Sequence, residues 1–148
     1  ATGSQDKLFL GNLDSKRDWG HARDYVKMMW MILQAEEPED WVISTGVTTT
    51  VRDFVRMSFK HVGIELEFLG SGTNETAIVK SSLTYKIPIG TEVVAVDKAY
   101  FRPTEVDLLI GDSTKAHTKL GWRPECTLST LVGEMMDSDL KRCQRNLS

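Results

Sequence analysis

The chain has 148 residues, of which 41% are hydrophobic and 26% charged, and its formal net charge of -3 gives a pI near 5.6. This is the size and composition of a single globular domain, and the acidic balance argues against a general nucleic-acid-binding surface. No apolar run approaches the roughly 20 residues of a membrane span, so no membrane contact is expected. The two cysteines, Cys126 and Cys143, are too few for a disulfide scaffold, and we expect reduced thiols in a cytoplasmic protein.

In chain order, the first predicted elements are a short strand end and a long helix. Residues 7–10 are an apolar run typical of a strand end. A helix is predicted from Trp19 to Ala35, with Asp18 as its N-cap and Pro38 closing the segment. Residues 28–33 are six consecutive apolar residues, so we expect this helix to be covered on more than one side. Helical spacing gives it an inner face of Ala22, Tyr25, Val26, Met29 and Leu33.

A strand and a second helix are predicted next. Residues 41–45 are typical of a buried strand. Thr50 is a suitable N-cap for a helix from Val51 to Val62, with Asp53 completing a capping box. Gly63 suits the left-handed position that ends such a helix.

The second half of the chain alternates strands and helices. Residues 64–69 alternate apolar and acidic side chains, which predicts a half-buried strand, and residues 92–96 predict another. The polar, weakly patterned stretch 70–88 is interpreted as a loop. Two helices complete the chain, at 113–120 and 128–145.

The last helix is predicted to be amphipathic, with Thr127 as its N-cap and Gly121 ending the helix before it. Its inner face is expected to hold Leu128, Leu131, Val132, Met135, Met136 and Leu140. The order of elements predicts a mixed α/β fold. The first helix and the strand at 41–45 look like the last βα units of a larger parallel sheet.

Arg17 is a candidate anion-binding residue because it directly precedes the predicted first helix. Backbone N–H groups and the helix dipole favour an anion at such a position, and a guanidinium adds a bidentate phosphate donor. The alternative is a surface salt bridge from Arg17 to Asp14 or Asp18.

Arg102 is the second candidate, on a segment stiffened by Pro103. Arg102 offers a guanidinium for a phosphate, and Glu105, three residues later, offers a carboxylate for a sugar diol. The alternative here is an ion pair within the loop.

Several catalytic and cofactor signatures are missing from the sequence. The three histidines, His21, His61 and His117, have no metal-ligand spacing, so no metal site is predicted. No glycine-rich dinucleotide fingerprint follows a strand, and no tyrosine is followed by lysine four residues later. We therefore expect no catalytic and no cofactor-binding residue in this chain.

Five segments resemble the corresponding parts of GDP-mannose 4,6-dehydratases, which are extended short-chain dehydrogenases/reductases. They are residues 10–22, 38–46, 100–107, 111–116 and 120–124. The sequences Arg-Asp-Trp-Gly-His-Ala and Arg-Pro-Thr-Glu-Val-Asp are specific to that family, whereas Leu-Gly-Trp-x-Pro is shared more widely in the superfamily.

The resemblance implies the C-terminal part of such an enzyme: the last βα units of a Rossmann-type sheet plus a small mixed α/β substrate-binding lobe. Residues 1–6 are interpreted as an upstream linker or cloning remnant, and 7–148 as the nucleotide-sugar-binding portion. Within it, 7–46 are expected to pack as the edge of a missing Rossmann domain, and 47–148 to form the substrate-binding lobe.

The function implied is that of a hydro-lyase of GDP-fucose and deoxyhexose synthesis. The family makes GDP-4-keto-6-deoxymannose from GDP-mannose through NADP-mediated oxidation at C4, loss of water across C5–C6 and reduction at C6. Because NADP and the catalytic groups are expected on the N-terminal half, this chain alone is expected to be an inactive fragment. The expected partners are GDP-mannose, the missing Rossmann half and, for the full-length protein, further copies of itself. The alternatives are part of a related GDP-sugar reductase or epimerase, or a free-standing nucleotide-sugar-binding module.

The resemblance also implies residue roles. Arg17 and Arg102 would hold the pyrophosphate, and Glu105 would bind a ribose hydroxyl. Lys7, with the strand that it begins, would line the guanine pocket.

Overall fold

A computed structural model describes residues 5–102 and 108–145. In these ranges no helix is long and apolar enough to cross a membrane. The elements in chain order are β1 (Leu8–Leu10), β2 (Lys16–Asp18), α1 (Ala22–Leu33), β3 (Thr48–Thr50), α2 (Val51–His61), β4 (Ile64–Leu69), β5 (Thr76–Ser82), β6 (Glu92–Val96), α3 (Thr114–Leu120) and α4 (Leu128–Arg145).

The main sheet has four strands in the order β1-β6-β5-β4. β1 pairs with β6 in parallel, with Leu8 opposite Val94, while the other two pairs are antiparallel. The strands predicted near 7–10, 64–69 and 92–96 are confirmed. The loop predicted at 70–88 is wrong over β5, which lies inside the sheet and is paired on both sides.

The sheet core lies under α2 and α4, and its apolar side chains come from both helices and the four strands. The capping box of α2 is confirmed. The Thr50 hydroxyl accepts from the Asp53 backbone N–H at 3.0 Å and donates to the Asp53 carboxylate at 2.8 Å. Gly63 follows the helix with a positive φ of 76°, as predicted. The fully buried side chains of the sheet core include Ile64, Ala77, Val79 and Val94.

The start of α1 differs from the prediction. His21, not Asp18, is the N-cap, and its ring accepts from the Arg23 backbone N–H. Asp18 lies in β2, which pairs with β3, and its carboxylate accepts from Thr45 and Gly46 instead. Strand pairing therefore holds residues 16–18 extended and delays the helix to residue 22.

The predicted strand at 41–45 is not formed in the described residues, which are instead held by side chains. The Ser44 hydroxyl donates to the Gly111 carbonyl at 2.8 Å, and the Thr45 hydroxyl donates to Asp18 at 2.6 Å. These bonds fix the segment beside the start of α1 without a strand ladder.

The inner face predicted for α1 is largely wrong. Its buried residues are Asp24 and Met28, whereas the predicted Val26, Met29 and Leu33 are 61%, 55% and 80% exposed. A run of apolar residues surrounds a helix, so periodicity alone does not say which side is covered. We call Val26, Met29, Trp30 and Leu33 the open face of α1.

The covered side of α1 forms a second, smaller core, here called the α1 core. It is built on Met28, Ala116 and Trp122, all at most 1% exposed. The Trp122 indole N–H donates to the Asp24 carbonyl at 3.0 Å, which ties the segment after α3 to the first turn of α1.

Candidate functional site

Arg17 and Arg102, far apart in the sequence, line the same cleft of about 490 Å³. Arg17 lies half-buried in β2, where its backbone is paired with Thr49 of β3. Arg102 is exposed and follows a turn at the end of β6. The remaining lining residues are Leu10, Gly11, Asn12, Ser15, Trp19, Val51, Ala99 and Tyr100. The structure thus joins two of the predicted site residues in one place.

The turn before Arg102 is held against the end of β1. The Asp97 N–H donates to the Leu10 carbonyl at 2.8 Å, and the Tyr100 N–H donates back to Asp97 at 3.0 Å. Gly11 allows this close approach, because a Cβ there would lie 2.4 Å from the Tyr100 carbonyl oxygen. The position of Arg102 near the cleft therefore depends on a residue without a side chain.

The two carboxylates considered as partners of Arg17 have other contacts. Asp14 pairs with Arg52 at 2.5 Å, and this hydrogen bond lowers the pKa of Asp14. Asp18 accepts from the Gly46 N–H at 2.9 Å and from Thr45. The guanidinium of Arg17 donates to the Lys16 carbonyl at 2.8 Å. Neither acid thus depends on Arg17 for its hydrogen bonds.

Arg52 supports one wall of the cleft, and no pattern in the sequence singled it out. Its guanidinium binds both oxygens of Glu75, which is 3% exposed, at 2.6 and 2.7 Å. The backbone N–H groups of Val51 and Arg52 donate to Ser15 and Leu13 at 3.0 Å. The start of α2 therefore fixes the segment that leads into Arg17.

Arg17 also lines a neighbouring cleft of about 440 Å³. Tyr25, Ser44 and Gly111 contribute to its walls. Burial, together with the charges of nearby acids, raises the pKa of Tyr25, so its hydroxyl stays protonated. Tyr25 packs against the α1 core, as its predicted inner-face position implies, but its place in the same cleft as Arg17 was not predicted.

Of the other two predicted site residues, the structure describes only Lys7. Lys7 makes an ion pair with Glu92 at 2.5 Å and is not among the residues that line the cleft. Glu105 lies outside the described residues. Their assignment to the guanine pocket and the ribose stays a prediction.

The most apolar cavity is a different one, about 490 Å³ in volume, between β1, α2 and α4. Trp19, Phe59 and Met136 are among its walls, and Ser58 and Asp139 are its polar lining residues. It lacks a cationic lining residue, so it does not suit a phosphate.

A family profile described as GDP-mannose 4,6 dehydratase matches residues 1–135. The chain is 55% identical over 147 residues to the GDP-mannose 4,6-dehydratase of Vibrio cholerae serotype O1, covering 97% of this chain and 39% of that protein. It is 46% identical over 144 residues to the GDP-mannose 4,6 dehydratase of Homo sapiens, covering 97% and 37%. The chain thus spans less than half the length of these relatives.

Two solved structures share the fold over more than nine-tenths of this chain. RMD from Pseudomonas aeruginosa complexed with NADPH aligns with a TM-score of 0.67 at 15% identity, over 94% of this chain and 37% of that one. UDP-glucose 4-epimerase from Thermotoga maritima aligns with a TM-score of 0.64 at 21% identity, over 92% and 35%. These likenesses confirm the predicted mixed α/β fold. The family profile, which matches most of the chain, shows that this chain belongs to the GDP-mannose 4,6-dehydratase family.

Proposed function

We propose that the cleft between Arg17 and Arg102 binds the pyrophosphate of GDP-mannose, as the substrate-binding portion of a GDP-mannose 4,6-dehydratase. The observation that carries this proposal is the meeting of two arginines from separate elements at one cleft. Guanidinium groups bind phosphate oxygens through paired, charge-assisted hydrogen bonds, and they stay charged at all physiological pH values.

The position of Arg17 supports a ligand with two parts. Arg17 lines both the cleft that holds Arg102 and the neighbouring cleft that holds Tyr25. A nucleotide sugar has a nucleoside on one side of its pyrophosphate and a sugar on the other. A cation between two adjoining clefts therefore suits the pyrophosphate at the centre of such a ligand.

Lys7 and Glu105 complete the proposed contacts, at the guanine and at a ribose hydroxyl. For Lys7 this requires the ammonium group to leave or share its ion pair with Glu92. Side chains of the pair are about one-third exposed, at 34% and 37%, so solvent weakens the interaction and the exchange is inexpensive.

NADP does not fit the residues present. The 148 residues contain no glycine-rich strand-to-helix fingerprint and no tyrosine followed by lysine four positions later. The neighbour whose structure contains NADPH is matched over 37% of its length. We therefore assign the removal of water from GDP-mannose to the whole protein and propose that this chain alone does not turn over the substrate. Conversion of GDP-mannose by the purified chain with added NADP would contradict this assignment.

Calorimetric titration with GDP tests the cleft. Arg17→Ala and Arg102→Ala should each weaken GDP binding by about 10- to 100-fold, because a hydrogen bond to a charged group contributes about 1.5–3 kcal/mol. Arg142→Ala, which removes an exposed arginine in the last turn of α4, should leave binding unchanged.

The same titration with UDP tests whether the chain recognises guanine, since a guanine pocket should bind UDP more weakly than GDP. Equal affinities for GDP and UDP would overturn the guanine assignment. GDP binding by both cleft variants at the affinity of the unaltered chain would overturn the pyrophosphate assignment.

A further inference from the structure

Three potential metal ligands meet at the start of α1, and none of them is among the residues that line the two clefts. Among the described residues, a ring nitrogen of His21, the sulfur of Cys126 and a carboxylate oxygen of Glu134 all lie within 4.8 Å of one another. The closest pair is His21 Nε2 and Glu134 Oε2, at 3.1 Å. The three residues come from distant parts of the chain, so sequence spacing does not group them.

Buried hydrogen bonds hold Cys126 beside His21. The Asp24 carboxylate, in a residue 3% exposed, accepts from the backbone N–H groups of Glu125 at 3.0 Å and Cys126 at 2.9 Å. Asp24 lies in the first turn of α1, and His21 caps the same helix. Two of the three ligands are therefore positioned by one rigid turn, and α4 supplies the third.

We propose that His21, Cys126 and Glu134 bind a divalent cation of the Zn²⁺ class. Nitrogen, sulfur and oxygen ligands bind Zn²⁺ at about 2.0–2.3 Å in a tetrahedron, which places neighbouring ligand atoms about 3.3–3.7 Å apart. The observed separations reach this geometry after side-chain shifts of about 1 Å. An ionised thiol and a carboxylate together match the two positive charges of the metal.

The fourth coordination position faces a shallow pocket. His21 and Glu134 line a space of about 350 Å³ together with Met135, Ser138 and Asp139. A water molecule or the Asp139 carboxylate can complete the tetrahedron from there. The site would tie the start of α1 to α4.

Binding changes the protonation of two groups. His21 Nδ1 accepts from the Arg23 N–H at 3.0 Å, so in the metal-free chain the neutral ring carries its proton on Nε2, facing Glu134. The metal takes the lone pair of Nε2, the ring proton moves to Nδ1, and the cap hydrogen bond is lost. The Cys126 thiol releases its proton to solvent. A metal–nitrogen bond thus replaces the helix cap.

Titration of the metal-free 148-residue chain with Co²⁺ and then Zn²⁺ tests the site. We expect one equivalent of Co²⁺ with a thiolate-to-cobalt absorption band in the near ultraviolet, and its displacement by Zn²⁺. Cys126→Ser should abolish the band, and Glu134→Gln should weaken binding at least tenfold. Zn²⁺ should also raise the Tm of the unaltered chain and leave that of Cys126→Ser unchanged.

Two variants serve as matched controls. Cys143→Ser removes the other thiol. His61→Ala removes a second histidine–carboxylate pair, between His61 of α2 and Asp137 of α4 at 2.8 Å, which does not belong to a three-ligand group among the described residues. Both should keep the cobalt band. Absence of the band in the unaltered chain, its survival in Cys126→Ser, or its loss in Cys143→Ser instead would overturn the proposal. Circular dichroism of each metal-free variant separates loss of the site from loss of the fold.

Discussion

The sheet core and the α1 core are built from similar apolar side chains but are enclosed to different extents. In the sheet core, α2 and α4 cover strands such as β5 that are themselves paired on both sides. In the α1 core, one side of the helix packs on Ala116 and Trp122, while Trp30 and Leu33 on the open face are 63% and 80% exposed. The comparison teaches that α1 carries more apolar surface than this chain covers.

The largest expected effect is the difference in stability loss between variants of two tryptophans in the α1 region. Trp122→Ala removes a side chain that is 1% exposed together with its hydrogen bond to Asp24, and should destabilise the chain by about 3–5 kcal/mol. Trp30→Ala, at 63% exposure, should change stability by at most about 0.5 kcal/mol. Urea denaturation followed by circular dichroism, at dilutions where the chain is monomeric, gives both values. Similar losses from the two variants at those dilutions would mean that Trp30 is covered within the chain itself.

The next effect concerns what covers the open face. Each large apolar side chain withdrawn from water contributes about 1.5–3 kcal/mol, so the isolated chain should associate through this face. Leu33→Lys should weaken the association by about tenfold or more in sedimentation equilibrium. Leu83→Lys, at another leucine that is 89% exposed, is the matched control and should not. A monomeric wild-type chain at all concentrations, or equal effects of both variants, would contradict the expectation.

The smallest effect is a difference in acid sensitivity. Hydrogen bonds from Lys115 and Lys119 lower the pKa of Glu39 beside the α1 core, and a hydrogen bond from Arg52 lowers the pKa of Asp14 beside the sheet core. A pKa lowered in the folded state adds stability above the unfolded value, near pH 4, and the contribution disappears as pH falls through the folded value.

Glu39→Gln and Asp14→Asn should therefore each lose less stability than the unaltered chain between about pH 5 and pH 3. Both pairs are partly solvent-exposed, so the differences should be small. Denaturation curves across this pH range measure them. A steeper loss of stability in either variant than in the unaltered chain would contradict the expected direction of this pH dependence.

Local signals in the sequence predicted most elements of the sheet core. The capping box at Thr50, the glycine at 63 and the alternation of 64–69 each act within a few residues, so they can be recognised without the fold. β5 was missed because its strand character depends on partners on both sides, β4 and β6, which sequence patterns do not reveal. The same applies to Asp18, whose pairing within β2 overrides its suitability as a helix cap.

The candidate site was predictable in its residues but not in its geometry. Family-specific motifs pointed to Arg17 and Arg102, and the structure places both at one cleft. The contact that brings them together, between Gly11 and the Tyr100 carbonyl, leaves no pattern in the sequence. Tyr25 was missed because an aromatic residue at helical spacing is typical of a core position.

The pairing of β1 with β6 sets the order in which this chain can fold during synthesis. The β4–β5 hairpin joins neighbours in the sequence, whereas Leu8 of β1 must await Val94 of β6. At about 5–20 residues per second, a ribosome leaves β1 without its partner for on the order of ten seconds. The bond from Asp97 to Leu10, which seats the turn before Arg102, forms only after that. The cleft between Arg17 and Arg102 can therefore form only after the chain has been synthesised well past β6.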